Sequence, residues 1–253
     1  MTQKITLILT RLMLIGLLFV FIFPAQAGVM ASRTRVIYEQ GQTERSLMLA
    51  NINPYPVVVQ TWVNDGEDQQ APEKSTSPMI ALPSVFRMQP GAVQGLRILY
   101  NGDALPKDRE SVFWLNLYEI APKSGATPAP EAAVALAMNT QMKIFYRPKN
   151  LPSTPDEMPA KLTFTLEQQG EHWVLVLRNP TPYHASMASL RLVDRHQEMA
   201  VPQTLDMMAP PFGEKRYPMA SGSQINPQGL NVSFTWVDDG GHFHTGTAPV
   251  LHP

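Results

Sequence analysis

The chain has 253 residues, 44% of them hydrophobic, and a formal net charge of −1. This composition predicts one large or two ordinary packed domains, and the balanced charge gives no indication of nucleic-acid binding. The chain has no cysteine, which excludes disulfide-stapled scaffolds, cysteine nucleophiles and cysteine-based metal sites.

The N-terminus has the pattern of a secretory signal. Lys4 and Arg11 precede an apolar run over residues 12–23, and Ala25-Gln26-Ala27 follows. A positive start, an apolar middle and an A-x-A end predict cleavage after Ala27, so that the signal peptide is 1–27 and the mature chain begins at Gly28. The alternative is an uncleaved anchor, but twelve apolar residues are short for a hydrocarbon core of about 30 Å. The sequence therefore predicts export without stable membrane insertion.

Alternation with period two dominates the mature chain. Residues 230–236 alternate apolar and polar side chains, and residues 57–63, 95–100, 162–166 and 173–178 also have strand character. Turn signals separate these segments, among them Asn53-Pro54 and Asn179-Pro180. The pattern predicts about seven strands before residue 148 and about seven after residue 160, which is typical of β-sandwiches.

A proline-rich connector divides the two sets of strands. Residues 148–156 read PKNLPSTPD, which indicates a domain boundary. We predict an N-terminal domain over 28–149, a linker over 150–160 and a C-terminal domain over 161–253.

One segment is ambiguous. Residues 130–142 are rich in alanine and start with Pro130 and Glu131, which favours a helix. Read as a strand, the same segment puts Val134, Leu136 and Met138 on one face. The local pattern leaves both readings open.

The sequence resembles the periplasmic pilus-assembly chaperones of the chaperone–usher pathway. The resemblance is strongest over residues 105–117 (LPKDRESVFWLNL), and shorter matches follow one another in the expected order at 32–36, 87–91, 143–148 and 238–241. It covers nearly the whole mature chain.

The resemblance implies an all-β fold of two immunoglobulin-like β-sandwich domains in an L or boomerang arrangement. It also implies an ATP-independent periplasmic chaperone without enzyme activity, cofactor or metal. Its partners would be pilin (fimbrial) subunits, bound by donor-strand complementation and protected from aggregation, and an outer-membrane usher to which they are delivered.

The resemblance implies that two cations anchor the bound pilin. By the resemblance, Arg35 and Lys143 would lie in the cleft and bind the C-terminal carboxylate of the subunit, a ligand that suits a guanidinium and an ammonium. The alternative is that both are ordinary solvated charges. Arg33 is a rival two residues from Arg35.

The resemblance also assigns the ambiguous segment. Val134, Leu136 and Met138 match the strand that the family donates to the pilin, whereas the alternative is a core strand or a helix. An exposed apolar stripe would favour a self-capping dimer of the free protein.

Three further charges match a cluster that bridges the two domains in the family. These are Glu110, Arg147 and Asp238, and the resemblance implies that they set the interdomain angle. The alternative is three independent surface charges.

Other readings have less support. A structural pilus subunit or adhesin would carry a free N-terminal donor extension, but strand pattern begins within a few residues of Gly28. A polysaccharide-active enzyme would need paired carboxylates in a groove, and no GxSxG, HExxH or P-loop motif occurs.

His242 and His244 share a strand face as possible metal ligands, with no third ligand evident nearby. The spacing before Lys143 leaves the loop-length branch of the family open, with a preference for the short-loop branch.

Overall fold

The computed structural model describes residues 28–66, 72–122, 137–170, 172–194, 198–220, 222, 225 and 229–251. Strands dominate these ranges. Within them, none of the helices has the length and apolar character needed to cross a bilayer.

The N-terminal domain is a sandwich of two sheets. One sheet has four strands in the order β1-β3-β7-β5, and the other has five in the order β2-β9-β8-β4-β6. A 3₁₀ helix at Pro72–Lys74 lies between the fourth and fifth strands. The strands are β1 (Val29–Ala31), β2 (Arg35–Glu39), β3 (Glu44–Asn51), β4 (Val57–Asn64), β5 (Met79–Leu82), β6 (Val85–Met88), β7 (Val93–Tyr100), β8 (Ser111–Ile120) and β9 (Ala137–Arg147).

The core lies between these two sheets because one face of each is apolar. Leu96 and Ile98 of β7 are fully buried, while Arg97 between them is exposed. Leu115 of β8 and Ile144 of β9 approach the same core from the five-stranded sheet. The alternation follows from the pleat of a strand, which turns successive side chains to opposite faces.

The C-terminal domain has its own core. Its strands follow the order β13-β12-β16-β17-β10-β11-β15, with β14 paired to β12. Phe164 and Phe234 meet in this core with ring centroids 5.2 Å apart. The strands are β10 (Thr163–Gln169), β11 (His172–Asn179), β12 (Ala185–Val193), β13 (Glu198–Ala200), β14 (Met208–Ala209), β15 (Gly213–Pro218), β16 (Asn231–Val237) and β17 (Phe243–Leu251). The prediction of an all-β fold with two sandwiches is confirmed.

A short helical segment joins the two sandwiches. It consists of a 3₁₀ helix at Pro155–Glu157 and α1 (Met158–Lys161). The Glu157 carboxylate accepts hydrogen bonds from the backbone and hydroxyl of Thr154 at 3.2 and 3.1 Å. Met158 is buried in the core of the second domain, so the connector is packed against that domain.

The ambiguous alanine-rich segment is a strand where it is described. Residues 137–147 form β9, which pairs with β8 along ten residues. Residues 130–136 lie outside the described residues. Cross-strand pairing outweighs the helix propensity of alanine here, because β8 offers a complete ladder.

Each domain holds a buried asparagine at the end of a strand. Asn51 ends β3, Asn179 ends β11, and both are 1% exposed. Each side-chain Nδ2 faces three backbone carbonyls that lie outside its own strand. The acceptors are Tyr55, Met88 and Gln89 in the first domain and Tyr183, Ala209 and Pro210 in the second.

Replacing Asn179 by Ala should destabilise the second domain. The change leaves buried carbonyls and the Thr181 backbone N–H without partners, and we expect the free energy of unfolding to fall by roughly 2–4 kcal/mol. Urea unfolding measures this. Asn231→Ala, at an exposed position of β16, is the control and should shift stability by no more than about 0.5 kcal/mol. Equal effects of the two changes would contradict the bracing role of Asn179.

Candidate functional site

Two cationic side chains lie beside each other on the five-stranded sheet. Arg35 begins β2 and Lys143 lies within β9, and the parallel pairing of these strands puts the two residues opposite each other. Partners across a ladder point to the same face. Arg35 Nη1 donates to the backbone oxygen of Val237, in the second domain, at 3.1 Å. The pair therefore lies on the sheet face that is turned toward the second domain.

Aromatic rings lie against the two cations. Lys143 Nζ lies 5.0 Å from the centroid of the Trp114 ring, and Arg35 Cζ lies 6.0 Å from that of Phe145. Such contacts stabilise a cation by roughly 0.5–2 kcal/mol without neutralising it. The Nε of Arg35 is buried and has no hydrogen-bond partner among the described residues.

Burial acts against both charges. It lowers the pKa of Lys143 below its ordinary value; the charge of Asp206 opposes this effect, while Arg35 and Lys215 add to it. Within the described ranges no carboxylate forms an ion pair with Arg35 or Lys143. Two half-buried cations without a direct counter-ion form a site that favours an incoming anion.

Burial also lowers the pKa of Arg35. The charges of Asp239, Asp238 and Glu110 oppose this effect from a distance. The guanidinium is half-buried beside the cleft, and partial removal of water strengthens its attraction for a carboxylate.

The strand that carries Lys143 has an open edge. β2 pairs with β9 only over Lys143–Arg147. Among the described residues, positions 137–142 of β9 pair with β8 alone, so the backbone groups on the other edge lack a strand partner. Positions 137–141 are exposed, and Met138 is 47% exposed. This open edge of β9 is the kind of surface that accepts an added strand.

Side-chain amides hold the open edge onto β8. The buried Asn116 Oδ1 accepts from Asn139 Nδ2 at 3.0 Å and from Gln141 Nε2 at 2.9 Å. These bonds reinforce the ladder on the face that also carries Lys143. The exposed segment is thereby kept extended and in register.

Arg147 forms ion pairs with carboxylates of both domains. Arg147, the last residue of β9, donates to Glu110 Oε1 from Nε at 2.8 Å. Its Nη1 and Nη2 form a fork on both oxygens of Asp239, at 2.6 and 2.9 Å. Burial lowers the pKa of Arg147, but the hydrogen bonds and charges of Asp239 and Glu110 outweigh it and hold this pKa above its ordinary value.

The Glu110 carboxylate completes this junction. Its Oε2 accepts from the backbone N–H of His184 at 2.8 Å, and the Glu110 backbone N–H donates to the Pro182 carbonyl at 2.9 Å. Beside the junction, a cavity of about 360 Å³ opens between the domains. Its lining includes Arg35, Phe145, His184, Trp236 and His244.

Comparison with known proteins matches both halves of the chain to one family. Residues 28–152 match the N-terminal domain of the pili and flagellar-assembly chaperone PapD, and residues 157–248 match the C-terminal domain of the pili assembly chaperone PapD. The chaperone protein FimB/FhaD of Bordetella pertussis is 38% identical over 173 residues, which are 66% of this chain and 69% of that protein.

Two solved structures are similar over most of the chain. The crystal structure of the YadV chaperone, which is known from Escherichia coli, is 30% identical with a TM-score of 0.74, and the match covers 88% of this chain and 99% of that one. The SafB chaperone of Salmonella enterica, in complex with the SafA pilin, is 26% identical with a TM-score of 0.69, and the match covers 90% and 99%. The chain belongs to the pilus-assembly chaperone family. That family is made up of chaperones rather than enzymes.

The structure brings together four of the eight residues that the sequence singled out in this chaperone. Arg35 and Lys143 are adjacent, and Glu110 contacts Arg147. Met138 lies on the open edge of β9, while Val134 and Leu136 are outside the described residues.

One predicted contact was wrong. The carboxylate that binds Arg147 belongs to Asp239, not Asp238. Asp238 instead closes the turn between β16 and β17: it accepts from the His242 backbone N–H at 2.8 Å, and its Oδ2 lies 2.8 Å from His244 Nε2. These hydrogen bonds, with that from the His244 ring first, hold the pKa of Asp238 below its usual range. Because adjacent residues point in different directions, the turn directs only Asp239 to the junction.

Sequence reasoning also missed contacts that contribute to the cleft. Val237 acts through its backbone oxygen, which no side-chain pattern reveals. His184 is buried against Glu110, with ring centroids 5.5 Å from Phe145. Its position directly after Thr181-Pro182-Tyr183, a turn-like segment, was the one available signal.

Removing the guanidinium of this chaperone's junction should be strongly destabilising. Arg147→Ala leaves Glu110, whose side chain is 2% exposed, as a buried carboxylate without its cation, and we expect a loss of roughly 3–5 kcal/mol in urea unfolding. The control is Arg178→Ala, because Arg178 is 62% exposed and 3.6 Å from Glu214; its loss should be about 1 kcal/mol or less. Losses of similar size would show that the junction contributes no more than a surface pair.

Proposed function

We propose that this protein is an ATP-independent periplasmic chaperone that binds pilin subunits by donor-strand complementation, prevents their aggregation and delivers them to an outer-membrane usher. The observation that carries the proposal is that β9 combines an open, partly apolar edge with a cation that lacks a counter-ion. The complex of the similar SafB chaperone with a pilin supports this partner class.

The two cations would bind the C-terminal carboxylate of the subunit. Arg35 has a buried Nε without a partner among the described residues, and Lys143 lies directly across the ladder. A charge-assisted hydrogen bond to either group contributes about 1.5–3 kcal/mol. Fixing one end of the bound strand also fixes its register, and a slip of one residue would turn every donor side chain to the wrong face.

The open edge would supply the missing strand. Met138 lies five residues before Lys143, which corresponds to roughly 17 Å along an extended strand. Val134, Leu136 and Met138 would fill successive apolar pockets of the subunit, while the β9 backbone pairs with its edge. In the free protein, the same edge would be available to a second copy, which favours a self-capping dimer.

Export is the remaining part of the proposal. The pattern of residues 1–27 supports a cleaved signal peptide and a periplasmic location, where the pilins of such systems would meet the chaperone. The described ranges offer no spanning helix. Usher delivery rests on the family alone.

The anchor can be tested by periplasmic co-expression with a pilin encoded beside this chaperone. Arg35→Ala and Lys143→Ala should each weaken recovery of soluble pilin, because truncating a buried charged contact costs roughly 2–5 kcal/mol. Arg33→Ala is the matched control, since Arg33 is exposed and lies outside β2; it should leave recovery unchanged. Wild-type binding that both anchor variants retain would place the carboxylate site elsewhere.

The donor edge has an equally close control. Met138 and Met48 are both 47% exposed strand methionines of the same domain, but Met48 lies on the other sheet. Met138→Glu should lower pilin capture by about tenfold or more, because it would bring a carboxylate into an apolar groove, whereas Met48→Glu should not. Capture measured by pull-down at matched expression decides this, and equal losses would argue against β9 as the donor.

A further inference from the structure

A buried carboxylate lies near the end of β8. Glu119 is 8% exposed. Its Oε2 accepts from the backbone N–H of Val29 at 2.8 Å, and its Oε1 accepts from Asn53 Nδ2 at 2.7 Å. Both donors are neutral. Within the described ranges, Glu119 takes part in no ion pair, and a buried charge of this kind is costly unless it is compensated.

The backbone nitrogen of Gly28 belongs to the same cluster. It is buried and donates to Asn53 Oδ1 at 2.9 Å. The amide of Asn53 is itself fixed by Asn51 Oδ1 at 2.9 Å. A Cβ on Gly28 would lie 3.7 Å from Glu119 Oε2 and 2.9 Å from Met138 Cε. Residue 28 therefore lies directly beside the carboxylate.

We propose that the α-ammonium group released by cleavage between Ala27 and Gly28 is the counter-ion of Glu119, so that removal of the signal peptide completes the N-terminal sandwich. An amide nitrogen has a single hydrogen, and here that hydrogen is used by Asn53. An ammonium has three: one keeps the bond to Asn53 Oδ1, and another is free to point at Glu119. Cleavage thus turns a buried carboxylate with two neutral donors into one half of an ion pair.

The placement of Gly28 gives the pair a second consequence. Glu119 and Met138 are cross-strand partners of β8 and β9, and Gly28 packs against Met138. The processed terminus therefore fixes the end of the sandwich from which the open edge of β9 emerges. The precursor lacks the ammonium at this position, so its N-terminal domain is less stable than that of the processed protein.

The inference rests on the proposed cleavage after Ala27, which the mass of the exported protein tests directly. The main experiment is a cycle of four mature proteins: free or N-acetylated Gly28, each with Glu119 or Glu119→Gln. Acetylation restores an amide nitrogen, which the structure shows can still donate to Asn53. In the protein with Glu119, acetylation should raise the unfolding equilibrium constant about tenfold or more. In the Glu119→Gln protein, it should raise the same constant less than about twofold.

Glu73→Gln is the matched control, because Glu73 is an exposed carboxylate of the same domain; acetylation should have its full effect in that background. If Glu119→Gln does not fold, the pH dependence of the wild-type forms replaces it. The ammonium faces Glu119, and its contribution is present below the ordinary pKa of an α-amino group, about 7.7–8.0. The advantage of the free form over the acetylated form should therefore shrink as the pH is raised through the amine's titration in the folded protein.

Two results would overturn the inference. One is an acetylation effect that is the same with Glu119 and with Glu119→Gln, or that does not change with pH. The other is a mature protein that begins at a residue other than Gly28. Neither measurement involves a pilin, so a failure of the ion pair and a failure of the proposed chaperone function can be distinguished.

Discussion

The ion pairs of Arg147 with Glu110 and Asp239 are the interaction on which the cleft depends. Glu110 belongs to the first domain and Asp239 to the second, and Arg147 binds both at 2.6–2.9 Å. A buried ion pair of this kind adds little net stability compared with apolar packing, because desolvation offsets most of the attraction. Its effect is geometric: a guanidinium fork on a carboxylate tolerates few orientations. The junction thereby fixes how the second domain faces β9.

Three features of the cleft lie along the single strand β9. Its first residues form the open edge, Lys143 carries the unpaired ammonium, and Arg147 binds the second domain. Lys143, Phe145 and Arg147 share one face because side chains alternate along a strand. Moving the domains apart at Arg147 would therefore also expose Arg35 and Lys143 to water, where their attraction for a carboxylate weakens. The junction and the two cations are coupled through the backbone of a single strand.

The strands were predictable wherever one face is buried and the other is not. In β7 and β16 the apolar period matches the pleat, so the sequence alone indicated both. The prediction for residues 130–142 stayed open, because alanine favours a helix locally while the partner strand β8 lies outside that window. Local patterns carry no information about a distant ladder.

The site was predictable only where its contacts are made by side chains rather than by backbone atoms. Arg35 and Lys143 could be assigned through the family resemblance, but the choice between Asp238 and Asp239 depends on a turn. Gly241 has a φ of +89°, and this turn sends one carboxylate to the histidines and the next to Arg147. The oxygen of Val237 and the nitrogen of Gly28 are backbone atoms, so residue types give no signal for them.

Polar and charged groups hold both ends of β9, the strand with the open edge. At its C-terminal end, Arg147 is fixed by two carboxylates. Near its N-terminal end, Met138 lies opposite Glu119, beside the Gly28 nitrogen. Between these points, the side-chain amides on Asn116 keep β9 on β8. An exposed edge is a liability because it invites uncontrolled pairing, and a mobile edge would also lose conformational entropy on binding. Fixing the strand from one side and at both ends would leave its other side available for pairing at low entropic cost, which is what the proposed donation of this strand requires.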